Sequence, residues 1–367
     1  MNGQTRRLRT IVCGTTFGQT YLNGIDRERN DFELAGIVAR GSAFAHQCAG
    51  RFGVPLYTSI ADLPPGIDLA CVVVRSGVVG GAGTCLAKAL LERGIHVLQE
   101  QPLHPDELAD LLRVARQQGC QYRLNGFYPD VESVAHFIRV ARYVLSQRRA
   151  IFLDAACSIH VLYPLMDIIS QMLGTLRPWS FTHQPVSGAV ESVFTCVGGV
   201  VGGVPLTLRV QNQLDPRDPD NHIHLFHQIS LGTEGGTLTL IDSHGQILWH
   251  PRMHLLRRKD GVIDLSANNE ALNLSVSTLI GNGEAPSYHR VFNDYWSRAT
   301  GRALQRFRAE ILSGENNPAR IQSMLAVCRA WSKLGMQLGP PRAVTPPESL
   351  PLAAETILAN IESIAGS

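Results

Sequence analysis

Leu8-Arg9-Thr10-Ile11-Val12-Cys13-Gly14-Thr15-Thr16-Phe17-Gly18-Gln19 passes from a β-branched apolar run, through glycine, into a helical pattern. A strand that feeds a helix through a glycine turn is the opening unit of a parallel α/β sheet. The rest of the first third repeats that unit. Strand-like runs fall at 32–39, 54–58, 69–74, 96–100 and 121–125, with helical patterns at 18–26, 43–52, 84–93 and 105–118. The run Leu69-Ala70-Cys71-Val72-Val73-Val74 is apolar throughout, as expected of a strand covered on both faces. The spacing predicts an α/β, doubly wound parallel sheet over residues 1–126.

In this context the glycine turn reads as the phosphate-binding element of a Rossmann domain, with an ordinary strand-to-helix turn as the alternative. The phosphate-binding element requires a tight bend, close approach of the backbone to a pyrophosphate, and a helix N-terminus aimed at the phosphates. In linear order Gly14 takes the first glycine place of the G-x-G-x-x-G fingerprint, with Thr16 and Gln19 at the other two. Gly14, Thr15, Thr16, Phe17 and Gly18 are therefore the expected cofactor-binding turn. Strand two ends in Ala39-Arg40-Gly41-Ser42, without the acid that binds the ribose hydroxyls of NAD. Arg40 and Ser42, spaced by Gly41, suit a 2′-phosphate, which an acid would repel. The expected cofactor is NADPH. Arg75, past strand four, and Glu100, Gln101 and Pro102, at the end of strand five, complete the expected cofactor set. Pro102 is expected to shape its turn, through a cis bond. Gly80–Gly83 follow strand four, where the backbone is expected to run close to the cofactor.

Past Pro129 the texture changes. One helix is expected at 131–145, then strand-like runs at 193–197, 205–212, 222–231 and 236–241, split by Gly, Pro and Asp. This predicts a C-terminal α+β domain on a mostly antiparallel sheet over 127–340, with late helices at 289–312 and 317–334. Residues 341–367 read as a Pro-rich linker and a last amphipathic helix. Gly198–Gly203 reads as a hairpin between two strands. The totals fit a globular chain: 367 residues, 44% apolar, 17% charged, with 33 basic and 31 acidic residues and a net charge of +2. That balance gives no case for nucleic acid or an anionic membrane as a partner. No apolar stretch approaches a membrane span, and the eight scattered cysteines read as buried free thiols, so the expected location is cytoplasmic.

Several segments resemble the glucose–fructose oxidoreductase superfamily of NAD(P)-dependent dehydrogenases. These are the loop GTTFGQTYL from Gly14, the strand end HVLQEQPLH from His96, and GTEGGTLTL from Gly232 to Leu240. Members that oxidise a sugar alcohol carry Lys in a Glu-Lys-Pro segment and a Gly-x-His-x-x-Asp run. Here Gln101 stands in the Lys place, and Ser158-Ile159-His160 with Tyr163 and Asp167 lacks the second spacing. An alcohol dehydrogenase needs a group to take the hydroxyl proton, so the chain departs from that chemistry. Together with QEQPLHPDEL, NGFYPDVES and LYPLMDIISQMLG, the segments resemble the thiazolinyl imine reductases of siderophore assembly, of the pyochelin and yersiniabactin kind.

That resemblance implies NADPH-dependent reduction of a thiazoline C=N to a thiazolidine. The substrate would be tethered to a carrier domain of a nonribosomal peptide synthetase. Hydride goes to carbon and one proton to nitrogen, so a single donor suffices. The resemblance places the family's Tyr at Tyr128, just past strand six, and its phenol is the first candidate donor. His104, after the Glu100-Gln101-Pro102 segment, is the second. Gln101 hydrogen-bonds but cannot act as a general acid. Tyr163 and Asp167 are expected at the substrate pocket or the interdomain seam. His222, His224 and His227 form H-x-H-x-x-H, but on a strand the third points away from the first two. They read as surface or interface histidines, with no metal. An open face of the second sheet is the expected homodimer surface. Two other functions stay open: a reductase or dehydrogenase of the same superfamily acting on a small carbonyl or sugar, and a dinucleotide-binding regulator without catalysis.

Overall fold

The computed structural model describes residues 6–76, 81–185, 192–218, 220–266, 270–281, 283–315, 317–346 and 351–365. The first half holds β1 (Leu8–Cys13), α1 (Gly18–Arg27), β2 (Phe32–Val38), α2 (Ala43–Phe52), β3 (Leu56–Tyr57), β4 (Leu69–Val72), α3 (Ala82–Glu92), β5 (His96–Glu100), α4 (Pro105–Gln117) and β6 (Tyr122–Asn125). The six strands form one parallel sheet in the order β3-β2-β1-β4-β5-β6. The order reverses between β1 and β4, and ligands of such sheets sit at that switch, outside the carboxyl ends of the strands.

The second half begins with α5 (Glu132–Gln147), β7 (Ala150–Ser158) and α6 (Leu162–Leu173). Strands β8 (Trp179–Gln184), β9 (Thr195–Val201), β10 (Val204–Gln211), β11 (Gln213–Leu214), β12 (His227–Thr233), β13 (Gly236–Leu240), β14 (Ile247–Pro251) and β15 (Thr278–Ile280) follow. The eight-stranded sheet runs β15-β14-β13-β12-β7-β10-β9-β8, antiparallel except where β10 pairs with β7. The chain ends with α7 (Tyr288–Arg290), a π-helical turn Val291–Tyr295, α8 (Trp296–Ser313), α9 (Pro318–Leu338), β16 (Arg342–Ala343) and α10 (Ala354–Ala365). Among the described residues no helix is long and apolar enough to cross a membrane.

Three features differ from the linear reading. β7 and α6 are central elements that the hydrophobic pattern did not mark. Residues 222–226 lie outside the strand, which starts at His227. Within the Pro-rich tail, Arg342–Ala343 pair in parallel with Gln213–Leu214. The glycine stretch also divides: Gly198 and Gly199 lie in β9, and the hairpin bend is Gly202-Gly203, both at positive φ.

The two halves share a core. Leu304 and Phe307 of α8 bury against Tyr21, Leu22, Ile25 and Phe32 on one face of the parallel sheet. On the other face, the packing around Leu90, Leu108 and Leu124 continues into α5, α6 and the second sheet. The late helices thus return to the Rossmann half and fix the cleft between the sheets. Six cysteines are buried, Cys196 is half-buried and Cys85 is exposed, all as free thiols.

Candidate active site

The turn after β1 is wedged between two neighbouring strand ends. Gly14 N–H donates to the Val38 carbonyl at 2.9 Å, and Val73 N–H donates to the Cys13 carbonyl at 2.8 Å. Gly14 has φ +97°, and a Cβ there would stand 2.5 Å from the Val73 carbonyl oxygen, so only glycine closes this bend. No side chain caps α1. Gly18 faces β1, where a Cβ would make an ordinary contact with Val12 Cγ1 at 3.4 Å. That place, where helix meets strand, is the one the third fingerprint glycine takes. Counted back from Gly18, Cys13 and Thr15 occupy the first two places, one residue off the linear reading. A bend that a Cβ would fill, beside an uncapped helix N-terminus, fits a dinucleotide pyrophosphate.

The other expected cofactor residues line the same edge. Arg40 is exposed and has no ion pair among the described residues. Gly41 turns the chain at φ +79°, and Ser42 Oγ caps α2 by accepting from Ala45 N–H at 3.2 Å. Arg75 reaches across the cleft to Asp220 of the second half at 3.8 Å. Of the Gly80–Gly83 stretch, Gly80 lies outside the described residues. Gly83 packs on β4's continuation, where a Cβ would meet the Val74 carbonyl oxygen at 2.2 Å.

At the ends of β5 and β6 three side chains join. Tyr21 donates to Glu100 Oε2, and Asn125 Nδ2 donates to the Tyr21 oxygen at 2.6 Å. Burial of the Glu100 carboxyl pushes its pKa up to about 8, against the pull of its bonds from Tyr21, Asn125 and Gln101. The Gln101–Pro102 bond is cis, and Gln101 Oε1 is buried without a donor among the described residues. The folded chain therefore keeps a proton on Glu100 that the unfolded chain sheds near 4.5. This group's stabilisation is full below that value and is lost as pH rises through about 8. Glu100→Gln is expected to gain on the wild type steadily between about pH 5 and about pH 9, read from urea midpoints. Parallel curves would mean that Glu100 titrates normally.

Tyr128 stands next. Phe127 adopts φ +56°, ψ −63°, and Tyr128 N–H donates back to the Gly126 carbonyl at 2.6 Å. This is a γ-turn of the rare, strained kind, and it sets Tyr128 at the mouth of β6. A Cβ on Gly126 would meet Asp167 Oδ2 at 2.2 Å, so the Asp167 side chain packs directly on this turn. The Tyr128 ring is boxed by Phe127 at 5.3 Å, His227 at 4.9 Å and Phe226 at 5.8 Å. Burial holds its pKa well above the ordinary phenol value, and Asp242, Glu100 and Asp220 add to that. Among the described residues nothing accepts its hydroxyl hydrogen. The group thus holds its proton at neutral pH, and no acceptor among the described residues claims it.

Sequence reasoning missed the polar floor of this box. Buried His227 Nε2–H donates to the Val161 carbonyl at 2.8 Å, so Nδ1 accepts from the Ser243 hydroxyl at 2.7 Å. Burial lowers its pKa to about 4, so it is neutral. His227 is therefore a core residue rather than a surface one, and it diverges from His222 and His224, whose rings pair at 5.2 Å. Trp296 Nε1–H donates to His244 Nε2 at 3.0 Å, which leaves the His244 Nδ1 proton facing Asp242 at 3.6 Å. Trp296 also meets Phe17 of the nucleotide turn at 5.6 Å and Phe127 at 5.5 Å. Only the paired Asp242 and His244 behind β13 carried a local signal.

The second candidate donor stands at the start of a helix. His104 is the N-cap of α4, where its Nδ1 accepts from Asp106 N–H at 3.4 Å beside the Asp106 carboxylate. Tyr163 is buried against Trp331, and Asp167 accepts from Gln171 at 3.0 Å, so both belong to the seam. His160, half-buried, bonds Ser158 Oγ at 2.9 Å, and burial lowers its pKa.

Residues 8–126 match the family model of the oxidoreductase family, NAD-binding Rossmann fold. Residues 148–250 match that of the thiazolinyl imine reductase Irp3-like C-terminal domain. Among curated proteins none matches. The fold is shared with solved structures at low identity. Biliverdin reductase from Synechocystis sp. PCC 6803, solved with biliverdin and NADP+, is 13% identical at a TM-score of 0.62, over 91% of this chain and 99% of that one. GenD2 of gentamicin A biosynthesis, solved with NAD, is 14% identical at 0.61, over 92% and 95%. A dehydrogenase from Chromobacterium violaceum is 12% identical at 0.64, over 98% and 100%. The chain thus carries an oxidoreductase-family, NAD-binding Rossmann segment over 8–126, followed over 148–250 by a segment that matches the thiazolinyl imine reductase Irp3-like C-terminal domain.

Proposed function

We propose that the protein uses NADPH to reduce a thiazoline C=N to a thiazolidine on an intermediate tethered to a nonribosomal peptide synthetase carrier domain, in siderophore assembly. The observation that carries the reading is Tyr128, whose hydroxyl has no partner among the described residues and is held at the end of β6 by the Phe127 turn. The match over 148–250 supports the substrate class. Gln101 in place of a lysine supports it too, because imine reduction needs one proton donor and no base for an alcohol.

Bound NADPH would supply the hydride to the imine carbon. Tyr128 gives its proton to the ring nitrogen, and solvent restores it. Arg40 and Ser42 favour the 2′-phosphate, Gly14 admits the pyrophosphate, and the His227 and Phe226 rings keep the phenol in place. The reading assigns the reaction to the cytoplasm.

NADPH oxidation with a synthetic hydroxyphenyl-thiazoline, beside a sugar and carbonyl panel, tests it. Turnover with the thiazoline alone is expected. Turnover on sugars or carbonyls alone would overturn the reading, and tight NADPH binding with no turnover on thiazoline or tethered substrate would favour a regulator. A homodimer belongs to the same reading. Along β10, Pro205, Thr207 and Arg209 face outward while Leu206, Leu208 and Val210 face the core, and Ile151 and Phe152 of β7 are exposed. Light scattering is expected to give twice the chain mass, and a monomer would count against that surface.

A further inference from the structure

A cavity of about 410 Å³ opens where Pro129 and Asp130, just past Tyr128, meet α5, α6 and α8. Four guanidinium groups line it: Arg139 and Arg142 from one face of α5, Arg302 and Arg306 from one face of α8. Among the described residues two carboxylates share the wall with the four arginines, which leaves a net positive wall. Asp130 is paired with Arg306, and Glu28 accepts from Gln305 Nε2 at 2.7 Å. The remaining arginines use neutral partners or none. Arg302 Nε donates to the Asp130 carbonyl at 2.9 Å, and Arg142 Nε to the Gln171 carbonyl at 2.7 Å. Arg139 has no hydrogen bond or ion pair among the described residues.

Like charges gathered in a concavity repel one another, and an anion between them relieves that repulsion. Guanidinium forks match paired anionic oxygens in particular, and two helices here present them to one volume. We propose that this cavity binds a small dianion, of the phosphate-monoester or dicarboxylate class, with Arg139 and Arg142 closing on it from α5 and Arg302 from α8. The site is separate from the nucleotide turn, and the proposal does not rest on the imine reading.

Inorganic phosphate and succinate are the probes, added to full-length protein saturated with NADP+, so that the nucleotide turn is filled, and at constant ionic strength. Thermal melts are expected to rise by about 2–4 °C with a saturating probe. The exposed double variant Arg139→Gln/Arg142→Gln, which keeps the wild-type melt without probe, is expected to lose that rise. Isothermal titration should give one site on the wild type. A response to phosphate alone assigns phosphate esters, and a response to both assigns the wider class. A rise equal to that given by chloride, or one the double variant retains, would overturn the proposal.

Discussion

Tyr128→Phe is expected to lower kcat for the thiazoline by about 100-fold or more while NADPH affinity stays within about twofold, since a positioned general acid contributes on the order of 10²–10⁴. The hydroxyl is the only part removed. The Phe ring still fills the box formed by Phe127, Phe226 and His227, so the turn and the pocket wall survive. A loss confined to kcat therefore reports proton transfer rather than packing. His227 is no substitute donor, because its Nε2–H is committed to the Val161 carbonyl. His104→Ala is the control. Its imidazole caps α4 only over a long, exposed 3.4 Å bond, so its loss is expected to cost about 0.5 kcal/mol of stability and to leave kcat near wild type. If Tyr128→Phe keeps its rate and His104→Ala loses it, the donor roles are exchanged. If both keep it, solvent supplies the proton.

Why Tyr128 was legible and its surroundings were not follows from what a linear pattern records. Tyr128 sits two residues past a strand whose place in a parallel sheet is plain, and strand ends border the crevice in such sheets. The boundaries of β1, β5 and β6 follow from apolar runs closed by Gly14, Pro102 and Gly126. β7 lacks such punctuation, and a charged Asp154 interrupts it. α6 has nine of its twelve residues buried and only a narrow polar stripe, Asp167 and Gln171, so its pattern is easily passed over. His227 looked polar and hence exposed. It is buried because Val161 and Ser243, from distant elements, satisfy both ring nitrogens. Trp296 reaches the nucleotide turn only because α8 folds back on α1, a tertiary fact that no spacing encodes.

The nucleotide turn supplies the other large effect. Gly14→Ala is expected to weaken NADPH binding by about 5- to 150-fold. The added Cβ meets the Val73 carbonyl oxygen at 2.5 Å, at a φ of +97° that side chains rarely adopt. Backbone strain of this kind costs about 1–3 kcal/mol, and each 1.4 kcal/mol is about tenfold in affinity. The turn has no room to yield in place, because Gly14 N–H and the Cys13 carbonyl are tied to the ends of β2 and β4. Relief must come by shifting the turn toward its open mouth, the space a pyrophosphate would take. Gly18→Ala separates this effect from general damage to the fold. Its Cβ only touches Val12 Cγ1 at 3.4 Å, within a helix that accepts alanine, so binding is expected to change little. Fluorescence titration of NADPH into both variants makes the comparison. Equal losses would point to a disturbed strand–helix contact. Wild-type affinity in Gly14→Ala would mean that the pyrophosphate does not rest on this turn. A loss in Gly14→Ala alone ties the binding step to the one residue that lets the β1 turn close.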